Sequence, residues 1–375
     1  METTIDDIQL DTIESAILAI KSGQVIIVVD DEDRENEGDF ICAAECVSPE
    51  IINFMATHGR GLICAPINED RADELGLHMM VPDNTSHHET AFTVSIDLIG
   101  RGCSTGISAY DRATGIRALI EPDVKASDFA KPGHIFPLRA KAGGVLRRTG
   151  HTEASIDLAR LAGFYPAGVL VEILNEDGTM ARLPELLAIA KRFDLKLISI
   201  KDLVAYRMQT ESLIRKENTV HIDSRFGPLT ISAYTQVTSG DIHMAVQIGS
   251  WEADETVTVR VHSTLETGDV LGLILQDYGN QINRTLEYLQ KEGKGVLLFM
   301  RNSEKDRSIL TRLSEIGHPH DQPTYNPSDQ RDFGIGAQIL RDLGISKLKL
   351  ISRQPKRRIG LEGYGLEIEG YVQLN

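Results

Sequence analysis

The chain has 375 residues, of which 41% are hydrophobic, and a formal net charge of −16 at pH 7. That length suggests two domains with ample cores, and the acidic excess argues against a nucleic-acid partner, whose phosphates are held by basic surfaces; a small phosphate ligand needs only one arginine and a few amides. No apolar run approaches a bilayer span, so no membrane partner is expected, and the acidic N-terminus carries no signal-peptide pattern, so a cytoplasmic protein is expected.

Asp11-Thr12-Ile13-Glu14 has the form of a capping box, with Asp11 as N-cap and Glu14 three residues on. Ile13, Ala16, Ile17 and Ile20 mark one face of the helix that follows, and Gly23 can end it. Residues 25–29 read as a buried strand. They run into Asp30-Asp31-Glu32-Asp33-Arg34-Glu35-Asn36-Glu37-Gly38-Asp39, which holds seven carboxylates and one arginine in ten residues. A second apolar strand over 40–44 follows. Crowded carboxylates repel one another unless a cation sits among them, and oxygen donors suit magnesium or manganese. A solvated acidic loop and a metal or proton-transfer site are both open readings of this run.

A helix is predicted over 49–58, a strand over 61–66 stopped by Pro66, and an alternating strand over 90–97. Lys131-Pro132-Gly133-His134 puts a histidine in a Pro/Gly turn before an apolar stretch. Arg147-Arg148-Thr149-Gly150-His151-Thr152 opens a helix predicted over 151–163, where arginine, threonine and helix-start amides make an anion site. Each histidine alone reads as structural or exposed; both beside an acidic loop point to chemistry. Strands are predicted at 169–174 and 195–200, with a helix over 183–193 between them. Glu172 interrupts an apolar strand, where a carboxylate needs a partner or a proton and suits acid–base work, unless it faces solvent on an edge. Cys42, Cys46, Cys64 and Cys103 form no CxxC pair, so neither a structural zinc nor a disulfide framework is expected.

Residues 205–219 are polar and end the first unit. Beyond them, strands over 219–223 and 256–261 and an amphipathic helix with Ile282, Leu286 and Leu289 indicate a second unit. Alternating strands and helices give an α/β (α+β layered) fold class. Residues 301–332 read as loop-like. His87-His88 and His318-Pro319-His320 sit in polar sequence and read as exposed rather than ligating.

The segments DDEDRENEGD, HGRGLICAP, STGISAYDR, KPGHIFPLRA, RRTGHTEASIDL and GVLVEILNEDGTMAR closely resemble the 3,4-dihydroxy-2-butanone 4-phosphate synthase family of riboflavin biosynthesis, and the resemblance covers residues 5–207. The resemblance implies a mixed sheet flanked by helices and a metal-dependent lyase. It would convert D-ribulose 5-phosphate to 3,4-dihydroxy-2-butanone 4-phosphate and formate with Mg2+ or Mn2+. It implies metal ligands at Glu35 and His151, and substrate contacts at Arg34, Glu35, Asp39, Thr105, Arg148, Thr152 and Glu172. His134 and Glu172 match positions essential for turnover, and Asp30, Glu37 and Cys64 match supporting ones, with Asp39 among the proton-passing groups. A homodimer with sites formed between subunits is likewise implied.

Residues 219–375 resemble GTP cyclohydrolase II, through Arg260-Val261-His262-Ser263, Thr267-Gly268-Asp269-Val270, Glu292-Gly293-Lys294-Gly295, Gly334-Ile335-Gly336-Ala337-Gln338 and Gly363-Tyr364-Gly365-Leu366-Glu367. The resemblance implies a GTP cyclohydrolase II-like α/β domain. That family's three zinc cysteines correspond here to Leu265, Gln276 and Tyr278, and Arg301-Asn302-Ser303-Glu304-Lys305-Asp306 replaces its basic glycine-rich segment. Asp329 and Arg331 keep a family pair, with Phe333 at a usual tyrosine. Leucine cannot ligate zinc, so no zinc is expected, and the domain is expected to be catalytically inactive, with a structural or regulatory role. The alternative is a bifunctional enzyme that also opens GTP. A non-catalytic phosphosugar binder would have no use for so many proton-transfer groups. The expected domains are 1–207 and 219–375, joined by a linker at 208–218.

Overall fold

A computed structural model of the chain describes residues 10–31, 34–86, 90–264, 278–301, 333–352 and 361–374. Leu265, Gln276, residues 302–306, Asp329, Arg331, His87, His88, His318 and His320 lie outside the described residues. The chain divides into two compact units, Met1–Gln209 and Thr210–Asn375.

The first unit runs α1 (Ile13–Lys21), β1 (Ile26–Val29), β2 (Gly38–Ala43), α2 (Pro49–His58), β3 (Cys64–Asn68), α3 (Glu69–Glu74), β4 (Ile96–Leu98), α4 (Ala109–Leu119), β5 (Phe129–Ala140), α5 (His151–Leu161), β6 (Gly168–Glu172), α6 (Leu183–Phe193), β7 (Leu197–Ser199) and α7 (Ile200–Met208). Its seven strands form one mixed sheet in the order β4-β5-β3-β6-β2-β1-β7. β1 and β2 are buried along their whole length, which is why they read as continuous apolar runs rather than alternating ones. α5 packs on β2, β3 and β6, with Ala154, Leu158 and Ala159 buried on that side.

Local chemistry sets several boundaries away from expectation. Thr12 rather than Asp11 caps α1, its side chain accepting from the Ser15 amide. Asp11 is drawn instead to β7, where it takes the Leu197 amide at 3.0 Å and the Lys196 ammonium at 2.8 Å. Pro66 does not stop its strand. β3 continues to Asn68, because it ladders along its length with β5 and is bridged on its other side at Cys64, to β6, and at Ile67, to Ala167. Most of the strand expected over 90–97 is reduced to single bridges, Met79 with Thr93 and Phe92 with Leu138, and β4 keeps Ile96–Leu98. His134 lies within β5, not in a turn, since Gly133 and His134 direct their amides to the Ser95 and Asp97 side chains.

The second unit runs β8 (Ile214–Ser224), β9 (Gly227–Gln236), β10 (Ile242–Ile248), β11 (Thr256–Thr264), α8 (Tyr278–Glu292), β12 (Gly295–Arg301), α9 (Phe333–Asp342), β13 (Lys347–Ile351) and β14 (Glu367–Val372). Its seven strands follow the order β14-β13-β11-β12-β10-β9-β8. Residues 214–218, expected in a linker, form the start of β8, because they pair with residues 233–236 of β9. Leu286 and Leu289 of α8 are buried against Val246, Ile248 and Leu297. Among the described residues, no helix is long and apolar enough to cross a membrane.

Candidate functional site

The acidic segment leaves the end of β1 and folds back on Asp30, which is 2% exposed. The Asp30 carboxylate accepts the Glu35 amide at 3.2 Å, the Glu37 amide at 2.9 Å and the Arg34 guanidinium at 2.7 Å. Three of its roughly four acceptor positions are thus used by the loop it closes, so Asp30 acts as a clasp. The same Arg34 nitrogen reaches Glu35 Oε2 at 3.0 Å. Glu35 Oε2 in turn lies 3.9 Å from Nδ1 of His151, the first residue of α5.

The His151 ring is fixed from behind. Its Nε2 is 3.1 Å from the Val28 carbonyl, an acceptor only, so Nε2 carries the proton and Nδ1 presents its lone pair toward Glu35. Burial pulls the His151 pKa down, but Asp39 and Asp30 outweigh it and hold it above its ordinary value. The field that favours a proton on this ring also favours a divalent cation at Nδ1. Donor atoms of Asp30, Glu35 and His151 all lie within 4.8 Å of one another, the one such group among the described residues. Two donors 3.9 Å apart can share one ion, since ligands about 2.1 Å from magnesium can be separated by up to roughly 4.2 Å. Glu35 and His151 therefore fit a hard divalent cation that keeps most of its positions open.

β2 and β6 supply the next carboxylates. Their register places Asp39 directly opposite Glu172, on one face of the sheet. Asp39 is 3% exposed, and burial first, then Glu172 and Glu35, push its pKa up to about 7 against the pull of His151. Glu172 is half-buried on an interior strand, not an edge, and its Oε2 accepts the Leu62 amide at 2.8 Å. Gly61 permits this approach: a Cβ there would lie 2.5 Å from Glu172 Oε2. Burial and Glu35 raise the pKa of Glu37 at the mouth of the loop, against the nearby Arg182. The Cys64 thiol is buried, and desolvation, Glu172 and Asp39 push its pKa far above the usual range. It stays protonated and cannot serve as a nucleophile at neutral pH.

Arg148 and Thr152 flank the start of α5. The N-cap is Gly150, with no side chain capping the first amides. Arg148 is held at 2.6 Å by buried Glu153, which also accepts the Lys141 amide at 3.1 Å. A cation, a hydroxyl and a helix start make this an anion-binding arrangement one residue from His151. The preceding turn is fastened from below by buried Asp157, which accepts the Val145 amide at 2.8 Å and Arg207 at 2.7 Å.

His134 and Thr105 gather elsewhere. Asp97 takes the His134 backbone amide at 2.9 Å and its Nδ1 at 2.7 Å, which turns Nε2 away from that carboxylate. Thr105 is exposed in the loop before α4, and the neighbouring Gly106 packs so close to Asp97 that a Cβ there would lie 2.2 Å from its carboxylate. His134 and Glu172 lie on β5 and β6, the two strands that flank β3. The chain therefore shows a metal-type cluster of Asp30, Glu35 and His151, with Arg34 paired to two of its carboxylates, Glu37, Asp39 and Glu172 as further carboxylates nearby, and Cys64 beside the last two. The His134–Asp97 pair stands on β5 and β4, at the edge of the sheet beyond β3.

Asp97, Glu153, Asp157, Arg182 and Arg207 were not singled out by sequence reasoning. Glu153 and Asp157 had a signal, lying inside RRTGHTEASIDL, and so had Arg182, the last residue of GVLVEILNEDGTMAR; Asp97 and Arg207 act across long sequence separations that no local pattern encodes. The Asp39 shift carries a stability consequence. Its folded pKa of about 7 exceeds the ordinary 3.8, so the folded chain holds the proton longer than the unfolded one. Its contribution is complete below that ordinary value and is lost as pH rises through about 7. Asp157, raised to about 6 by burial, acts in the same direction. Metal-free protein is expected to lose thermal stability across this window, and Asp39→Asn to flatten the slope; an equal slope in the variant, measured by thermal melts, would exclude Asp39 as its source.

Residues 14–206 match the family described as 3,4-dihydroxy-2-butanone 4-phosphate synthase, and residues 215–373 match GTP cyclohydrolase II. A riboflavin biosynthesis protein RibBA of Cytophaga hutchinsonii is 57% identical over 99% of this chain and 93% of its own length. Its counterpart in Aquifex aeolicus is 48% identical over 97% of this chain and 92% of its length. Among solved structures, RibBX, a two-domain 3,4-dihydroxy-2-butanone 4-phosphate synthase from A. baumannii, has a TM-score of 0.66 and 37% identity, covering 96% of this chain and 99% of that one. A 3,4-dihydroxy-2-butanone 4-phosphate synthase in complex with two magnesium ions has a TM-score of 0.52 and 45% identity, covering 54% of this chain and 98% of that one.

Proposed function

This chain belongs to the 3,4-dihydroxy-2-butanone 4-phosphate synthase family, here joined to a GTP cyclohydrolase II family region, and we propose that its first unit converts D-ribulose 5-phosphate to 3,4-dihydroxy-2-butanone 4-phosphate and formate. The members of that family are metal-dependent lyases, and the observation that carries the reading here is the Glu35–His151 donor pair beside the Arg148–Thr152 anion site. Bound there, Mg2+ or Mn2+ would act as a Lewis acid on the sugar oxygens.

The side chains divide the remaining work. Arg148, Thr152 and the α5 amides hold the phosphate and so fix which end of the sugar reaches the carboxylates. Asp39, whose carboxyl pKa is raised by burial in the metal-free chain, and Glu172 opposite it are placed to take and return protons as the enediol forms and the hydroxyl departs. Glu37, whose carboxyl is also raised, serves the mouth of the site. His134, whose Nδ1 is held by Asp97, offers Nε2 for proton exchange, and Arg34 and Thr105 contact substrate. Cys64 fills space as a neutral thiol beside the carboxylates. The enzyme works as a cytoplasmic homodimer in this reading, with the neighbouring subunit completing the site. Formate release from ribulose 5-phosphate tests the assignment: metal-dependent release supports it, and none with either metal present refutes it.

For the second unit, the absence of any cysteine beyond Cys103 supports a domain without GTP hydrolysis and without zinc. The RibBX relative, described as a two-domain synthase, is in line with that. The match of residues 215–373 to GTP cyclohydrolase II favours the second reading, a bifunctional enzyme. The first reading leads us to expect no stoichiometric zinc and no formate from GTP. Zinc analysis of the purified chain with a GTP turnover assay decides, and hydrolysis above background establishes the bifunctional reading.

A further inference from the structure

The peptide units around Glu35 are gripped from two sides, and only one grip belongs to the acidic segment itself. On the donor side, Asp30 collects the amides of Glu35 and Glu37. On the acceptor side, the carbonyls of Glu35 and Asn36 both receive Arg182 Nη1, the first at 2.9 Å. Arg182 stands at the N-cap of α6, where its own amide donates to Glu185 Oε2 at 3.0 Å, so its backbone is anchored before its side chain reaches out. The preceding Ala181 amide is tied to the Ile173 carbonyl at 3.0 Å, one residue past Glu172. A second contact joins the same helix to the same loop: a Cβ on Gly38 would lie 2.5 Å from Leu186 Cδ1, so α6 presses on the loop's far end. Asn36 between these contacts has a left-handed backbone, φ 53°, which needs support from its surroundings.

We propose that Arg182 is a positioning residue for the metal site: it holds the Glu35–Asn36 backbone so that the Glu35 carboxylate stays beside His151 before any cation arrives. The inference rests on the reading of Glu35 and His151 as the metal ligands. Half-buried carbonyls need donors, and a guanidinium satisfies two at once without competing for the cation. Removing it lets the loop relax, and the organisation of the site must then come out of the metal-binding free energy.

The test is Mn2+ affinity of the full chain without substrate, read from the free-ion electron paramagnetic resonance signal. Outer contacts of this kind are worth about 10–100-fold in metal affinity. Arg182→Gln is expected to weaken Mn2+ binding at least ~10-fold, with Arg182→Lys intermediate and kcat recovering at saturating metal. Should the glutamine variant fold poorly, the lysine variant, which keeps charge and length, gives the reading. Wild-type binding with both variants unchanged overturns the clamp alone. A wild-type chain that binds no Mn2+ overturns the metal-site reading and the clamp with it.

Discussion

Replacing His151 with alanine, or Glu35 with glutamine, is expected to cut formate release from ribulose 5-phosphate at least ~100-fold while leaving the chain folded. The two changes remove different halves of the same donor pair. Glu35→Gln keeps the side chain's volume and its place beside Arg34 but gives up the charge that attracts a cation. His151→Ala removes Nδ1 and also the Nε2–H bond to Val28, a loss of about 1 kcal/mol in stability. Both variants should therefore melt within a few degrees of the parent, and both should need far more metal to reach half activity. Near-native turnover in the two variants at low metal would contradict the assignment.

The second large effect falls on the turn that carries Arg148. Asp157→Ala is expected to destabilise the chain by about 3–5 kcal/mol, because Arg207 would keep a buried charge without its carboxylate. The pair lies 2.7 Å apart with side chains 3% and 4% exposed, so water cannot replace the lost partner. Asp157 also receives the Val145 amide, and Gly144, at φ +59°, lies so close that a Cβ would stand 2.2 Å from its carboxylate. Desolvation raises the Asp157 pKa to about 6, so the pair is ionised at neutral pH despite its burial. Denaturant unfolding at pH 7 measures the loss. A shift in midpoint equivalent to less than about 1 kcal/mol would mean that Arg207 finds another partner.

How much of this was legible in the sequence depends on whether the signal is local. α2 and α6 occupy the residues expected of them because their ends are written nearby: Ser48 caps Pro49–His58, and Arg182-Leu183-Pro184 opens α6. The layered α/β class followed from apolar runs alternating with amphipathic ones, and both sheets are of that kind. Expectations slipped where a side chain answered a distant partner. Asp11 left its capping role for Lys196, and His134 entered a strand because Asp97 and Ser95 take the amides there. Pro66 was misread because a proline is tolerated where its own nitrogen is not called on: on the β6 side the strand is bridged only at Cys64 and Ile67 among the described residues.

The candidate site divides in the same way. Its carboxylate-rich segment stands out by composition, yet nothing in the spacing of Glu35 and His151 announces that they meet; the family resemblance named them. Asp30, crowded into the same run, is the clasp that closes the loop through three hydrogen bonds. Asp97, Arg182 and Arg207 escaped notice because each acts through contacts far away in sequence. Such residues emerge once the sheet register is known.

The most direct test loads the full chain with Mn2+ and records its electron spin echo envelope modulation. A nitrogen coupling typical of directly bound imidazole, present in the parent and lost in His151→Ala, is the result this account predicts. A spectrum without nitrogen coupling, or one that survives the substitution, would contradict it.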